Sequence, residues 1–273
     1  MATMSNNWDS TTEVLRGRAG MLTRIALLTL VLPPVVRDGW IVFAGSVSPA
    51  AVTVGSVLAI IALLVAIWGQ LAIAAVALDP ATSQGDATRI ASRRFVSALG
   101  VYAVACLVIV ALMVPIGVAL AGSNIDLAAM SAGQPPSISA GTAGFLLLYG
   151  GIGGIAALFV AARLFVLNPV IVAERQGLRA FARSWAVTRG LTWRIIGVML
   201  LFGIVWIVAT AAARSVLGIV LRLALGAGAN ASVQFFTAAI AAALAAAYMV
   251  VVSVFATRLY VTQSEQRAAD LFS

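Results

Sequence analysis

Six apolar stretches, at roughly 21–45, 52–78, 97–121, 143–172, 194–213 and 233–257, constrain this chain more than any other feature. A helix needs about 20 mostly apolar residues to cross the hydrocarbon core of a bilayer. Each stretch meets that length, so the sequence predicts an all-α, polytopic membrane protein with six transmembrane helices. Composition agrees: 62% of the 273 residues are apolar and 10% charged, against roughly a quarter charged in soluble domains. Mean hydropathy is +1.08. The first stretch contains "LPPVVRDGW". Pro33 and Pro34 are expected to kink or end its helix because they remove backbone donors and clash with the preceding turn. Trp40 then suits the far interface.

Charge sets the expected orientation. The net charge of +8 is carried by arginine alone. A GC-rich coding bias is the plainer reason for that choice; bidentate phosphate contacts, which lysine does not make, are the other. Arg16, Arg18 and Arg24 flank the start of span one, and Arg89, Arg93 and Arg94 lie between spans two and three. A third group lies between spans four and five, and Arg258 and Arg267 follow span six. The other side has Arg37, Arg214 and Arg222. Positive charge favours the cytoplasmic side, which predicts a bacterial inner-membrane protein with both termini cytoplasmic. The N-terminus is too long and polar for a signal-peptide n-region and no small-residue cleavage site follows, so span one is expected to stay in the membrane. The stretch "GSNIDLAAMSAGQPPSISAGT" reads as a flexible outer connector.

Three segments, "WDSTTEVLRGRAGMLTR", "GDATRIASRRFVSALG" and "GLRAFARSWAVTRGLTWR", read as basic amphipathic helices preceding spans 1, 3 and 5. The expected organisation is an N-terminal helix over 1–20, a membrane domain over 21–261 and a tail over 262–273. The chain reads as three helix-plus-hairpin units. Their starts near 8, 85 and 177 are unequally spaced, which suits common topology as well as a true repeat.

Absent residues narrow the chemistry. With no histidine and a single cysteine, Cys106, the chain assembles no disulfide, no thiolate or imidazole metal cage and no histidine base. No catalytic residue, metal or cofactor is assigned, and nucleic acid is not expected as a partner. Asp38, Asp79 and Asp126 fall at or beyond span ends, so no mid-depth acid marks a proton relay. Trp68, Gln70, Trp206, Thr210 and Tyr248 lie within spans. They would line a small pocket if their helices met, or else pack with local hydrogen bonds. Gly150, Gly151, Gly153 and Gly154 recur at spacings that let helices approach closely.

The most distinctive stretch is "RLFVLNPVIVAERQGLRAFARSWAVTRGLTWR", from Arg163 to Arg194. Asn168 and Pro169 weaken a helix ladder, Gly177 suits a bend and Gly190 a helix end. Arg175, Arg179 and Arg183 recur every four residues along one helical face, with Leu178, Phe181 and Trp185 on another. That pattern describes a helix in the headgroup plane with guanidinium groups near anionic lipid phosphates. Glu174 is the acid available to pair with Arg163, Arg179 or Arg183, and Trp193 with Arg194 marks re-entry. Ser184, Trp185 and Arg189 complete the expected structural and lipid-contact set.

The run Arg163, Pro169, Glu174 and "AFARSWAVTRGLTWRIIG" resembles the signature region of the membrane-domain family associated with glycerophosphoryl diester phosphodiesterases and of related six-span bacterial inner-membrane proteins of unknown function. The resemblance extends more weakly to the tryptophan-bearing N-terminal helix, the proline-bearing first span and "RIASRRF". It implies an all-helical six-span fold. Some members carry a soluble phosphodiesterase domain that uses histidines and an acid-held metal; a sequence without histidine takes no such activity from the resemblance.

Three readings follow. The first is a non-catalytic scaffold or accessory factor seated on anionic lipid. The second is a transporter, channel or lipid exporter, with helices broken at Pro33, Pro115 and Pro169. The third is a lipid-acting enzyme, for which Glu174 as base and Ser184 as nucleophile are the candidates.

Overall fold

The computed structural model describes residues 4–44, 48–123, 139–174, 177–226 and 228–272, with side chains as far as Arg267. Asp126, Arg175 and most of the expected outer connector lie outside these residues. Every regular element among the described residues is helical. Six candidate membrane spans are present, at Ala19–Ala44, Pro49–Leu78, Gln84–Ala121, Ala140–Glu174, Thr192–Leu225 and Asn230–Arg267.

Helix α1 (Met4–Gly17) precedes α2 (Ala19–Ala26), which runs through a π-helical turn at Leu27–Val31 into α3 (Leu32–Ala44). The tandem prolines therefore do not end the first span. Their missing donors and crowding rings would strain the carbonyls one turn earlier. The wider π turn sits immediately before them, where such an insertion relieves the ladder. Thr29 is buried in that turn and donates its hydroxyl to the Ile25 carbonyl at 2.7 Å. It also presses on α4 (Pro49–Leu78): a Cβ at Gly69 would lie 2.0 Å from Thr29 Oγ1. Glycine is what permits this contact.

The basic segment before span three is not a separate helix. It is the first part of α5 (Gln84–Ala121), opened by Ser83, whose Oγ accepts from the Asp86 N–H at 3.2 Å. No proline interrupts residues 84 to 100, and the alanines, arginines and leucine there favour continuous helix. At 1.5 Å per residue its 38 residues extend about 57 Å, well beyond the ~30 Å apolar core. Pro115 is accommodated inside it.

Span four is interrupted instead. Helix α6 (Ala140–Arg163) stops, and α7 (Leu167–Glu174) restarts with Pro169 in its first turn, where a missing donor leaves no intrahelical bond unmade. Helix α8 (Arg179–Val187) follows, and Gly190 beyond it takes φ +89°, a left-handed conformation suited to glycine. Helices α9 (Thr192–Leu225) and α10 (Asn230–Phe272) form the last hairpin. The fifth span thus runs on past the expected end at residue 213. Arg214 and Arg222 lower hydropathy there without lowering helix propensity.

The packed core sits at one end of the bundle. Its buried apolar residues include Leu71 to Ala77 of α4, Ala87, Ala91 and Ala98 of α5, Val170 and Ile171 of α7, Ile195 of α9 and Val254 of α10. This is the end that carries α1, the α4–α5 turn, α7, α8 and the last turns of α10. Further along the spans, large apolar side chains such as Leu107, Ile109, Ile152, Ile204 and Ile207 are exposed, as lipid-facing residues are. Gly150, Gly151, Gly153 and Gly154, expected to be helix contact faces, are exposed as well. A Cβ at any of them would meet nothing within 4 Å among the described residues.

Candidate functional site

The break in span four creates the site. Where α6 ends, its last carbonyls lose their intrahelical donors. The Arg163 carbonyl accepts from the Ser184 hydroxyl at 2.8 Å, and the Thr188 hydroxyl, whose single proton is shared with the Ser184 carbonyl at 2.9 Å, lies 3.1 Å from it. Both residues are almost completely buried. Helix α8 is thereby fastened across the broken end through Ala180, Ser184 and Val187, which form its buried face. The apolar stripe of Leu178, Phe181 and Trp185 lies on a different face: Leu178 and Trp185 are exposed and Phe181 half-buried.

Glu174, at the end of α7, ties three elements together. Its Oε1 accepts from Arg183 Nε of α8 at 2.6 Å and from the Tyr260 hydroxyl of α10 at 2.8 Å. Of the arginines considered as its partner, Arg183 forms an ion pair with it. Arg179 and Arg194 are exposed, and Trp193 is 80% exposed.

Arg163 points elsewhere. Its guanidinium carbon stands 5.2 Å from the Phe159 ring centroid and 5.1 Å from that of Trp185, within cation–π range. Its Nη1 donates a long bond to the Trp185 carbonyl at 3.5 Å, and its Nε is buried without a partner among the described residues. Arg267 of α10 donates to the Ala186 carbonyl. Together with Arg189, these arginines line a cavity of about 570 Å³ beside Trp185.

The five residues that would line a mid-membrane pocket if their helices met, or else pack with local hydrogen bonds, separate into different contacts. Gln70 Oε1 accepts from Asn168 Nδ2 at 3.0 Å, and Asn168 Oδ1 accepts from the Tyr102 hydroxyl at 2.6 Å. This chain joins α4, α7 and α5. Trp68 donates to Ser92 Oγ at 3.0 Å. Trp206 and Tyr248 lie against each other with ring centroids 5.0 Å apart, and Thr210 Oγ1 is buried without a partner among the described residues. No hydrogen bond or ring contact among the described residues links the first group to the second. Short local bonds satisfy polar groups in an apolar setting more readily than a shared cavity does.

Sequence reasoning did not anticipate Tyr260, Thr188, Arg267 or the bridging role of Asn168. Only Asn168 carried a signal, as a polar side chain inside a span. Among the described residues, no cluster of His, Cys, Asp and Glu suits a metal ion.

The sequence model of one family, described as "Domain of unknown function (DUF7847)", matches residues 12–264. No curated protein and no solved structure matches the chain.

Proposed function

Since the chain belongs to that family, whose function is unknown, its role has to be read from the site, and we propose that it is a non-catalytic scaffold or accessory factor of the bacterial cytoplasmic membrane. Both termini face the cytoplasm on this reading, following the arginine distribution. Helices α1 and α8 lie against the headgroup layer, with exposed Arg179 and Arg194 toward anionic lipid. The supporting observation is the use made of the two groups a catalyst would need. Ser184 is fully buried and its hydroxyl donates to the Arg163 carbonyl, while Glu174 accepts from Arg183 and Tyr260. A nucleophile and a base engaged in this way fasten helices together instead of facing substrate. The resemblance of residues 163–194 to the diesterase-associated membrane domains fits a shared architecture and brings no diesterase activity with it.

A transporter or lipid exporter is the second reading, favoured by the broken span four, since interrupted helices frame many transport sites. Reconstitution separates the two. In proteoliposomes of mixed zwitterionic and anionic lipid, the scaffold produces no lipid scrambling or solute flux, and spin-labelled lipid shows an anionic preference at its surface. Arg179→Gln with Arg194→Gln lowers that preference. Flux, scrambling, or an unchanged preference in the double variant would each overturn the reading.

A further inference from the structure

The cavity beside Trp185 has features that a diffuse basic surface lacks. Three arginines from three segments converge on it: Arg163 at the end of α6, Arg189 after α8 and Arg267 near the end of α10. Among the described residues no acid lines it and none of the three makes an ion pair. Two of them are held in place. The Arg163 guanidinium is held over the Phe159 and Trp185 rings, and Arg267 is tied to the Ala186 carbonyl. A guanidinium carries five N–H donors, so each keeps several for a ligand, and the buried Arg163 Nε still lacks an acceptor. Clustered arginines match the geometry and charge of a phosphate.

An apolar path leads away from the same cavity. Phe159 beneath Arg163 continues the line of Leu148, Ile152 and Ile155, at i, i+4, i+7 and i+11 on one face of α6. The last three are exposed. Gly150, Gly151 and Gly154 beside this line leave the helix without side-chain bulk and with open space around it. From Leu148 to Arg163 the helix rises about 22 Å, more than half of the ~30 Å apolar core and enough to accompany one acyl chain.

We propose that this cavity and path form a discrete site for one membrane phospholipid of net negative charge, its phosphate held by Arg163, Arg189 and Arg267 and an acyl chain along α6. The proposal rests on the lipid-contact reading above but is narrower, since it assigns one retained molecule to one place. Trp185 closes the site at headgroup depth, where tryptophan is favoured. Charge selects the headgroup, and the exposed α6 stripe selects a lipid over a soluble phosphate.

Native mass spectrometry of the full chain, purified in detergent and exchanged until bulk lipid is removed, tests this. The wild-type protein is expected to retain one anionic phospholipid per chain. Arg189→Gln combined with Arg267→Gln lowers that occupancy at least tenfold, while Arg179→Gln with Arg194→Gln leaves it unchanged even where surface lipid preference falls. Ile155→Trp, which obstructs the path without altering charge, also lowers retention and guards against a folding defect in the arginine variant. Retention unaffected by both the Arg189/Arg267 and Ile155 variants would overturn the site. So would equal retention of zwitterionic lipid, or saturable binding of inorganic phosphate that displaces the lipid and is insensitive to Ile155→Trp, which would identify a soluble anion as occupant. Surface preference unchanged in the Arg179/Arg194 variant, with the single lipid retained in it and lost in the Arg189/Arg267 variant, would overturn the broader scaffold reading and support the site.

Discussion

Glu174→Gln is the substitution that most directly tests the joint at the broken span. It keeps the side chain's shape and one carbonyl acceptor but removes the charge that two donors share. The Tyr260 hydroxyl, on a residue only 6% exposed, loses a bond to an ionised group, an interaction of about 1.5–3 kcal/mol. Arg183 counts for less: its side chain is 39% exposed and that of Glu174 18%, so solvent screening brings the pair toward ~1 kcal/mol or below. Glutamine recovers part of one bond, leaving a net loss of about 2 kcal/mol. For a chain of this size that corresponds to a fall of roughly 4–8 °C in melting temperature. Membrane proteins often unfold irreversibly, so the comparison is between apparent melting temperatures at one heating protocol, read from the tryptophan-fluorescent size-exclusion peak that remains after heating in detergent. Tyr260→Phe alone should lower it by about half as much, and the double variant should be no worse than Glu174→Gln by more than about 2 °C, since both changes remove the same bond. Melting temperatures within about 1 °C of wild type, or strictly additive losses, would refute the joint. A loss of some measured activity at unchanged stability would assign Glu174 to chemistry.

Three other substitutions probe the remaining contacts by the same melting measurement. Gly69→Ala drives a Cβ to 2.0 Å from Thr29 Oγ1 and 2.5 Å from Thr29 Cβ, so it should cost about 1–3 kcal/mol through overpacking. Thr29→Gly should relieve that loss where Thr29→Ala does not. Asn168→Ala strands the Tyr102 hydroxyl and the Gln70 carbonyl between helices and should cost about 1–3 kcal/mol; a protein equally stable to wild type would show that the chain of amides is incidental. Ser184→Ala leaves the Thr188 hydroxyl 3.1 Å from the Arg163 carbonyl and free to turn from the Ser184 carbonyl to it, so it should cost about 1 kcal/mol, whereas Ser184→Ala with Thr188→Val orphans a buried acceptor and should exceed the sum of the single losses.

The spans were legible because a bilayer tests a single property over a fixed length, and hydropathy measures that property directly. Their ends were less so. Arg214 and Arg222 mark where a helix stops suiting lipid, and α9 continues through both to Leu225, since helix propensity is indifferent to where the bilayer ends. The prolines misled in a related way. Pro33 and Pro34 announce a disturbed ladder but not its form, which depends on whether Thr29 can turn into a neighbour as open as Gly69. Proline, glycine and charge report local stresses, and the relief of each stress is a tertiary matter.

The site shows where that boundary falls. Glu174 and Arg183 lie nine residues apart, and their pairing was among the expected ones; Tyr260 lies 86 residues from Glu174, and Asn168 lies 98 from Gln70. Nothing in a single sequence selects such partners. The Ser184 and Thr188 hydroxyls are a middle case. Once a helix is known to break within apolar surroundings, its last carbonyl must find a donor, and the next helix must offer one from a face narrow enough to come close. Ala180, Ser184 and Val187 form that face, and among them Ser184 alone supplies a side-chain donor. Periodicity of bulk marked only the other, apolar stripe of Leu178, Phe181 and Trp185. Asking which face could satisfy the broken helix end, besides asking which is most hydrophobic, would have found the side of α8 that meets the protein.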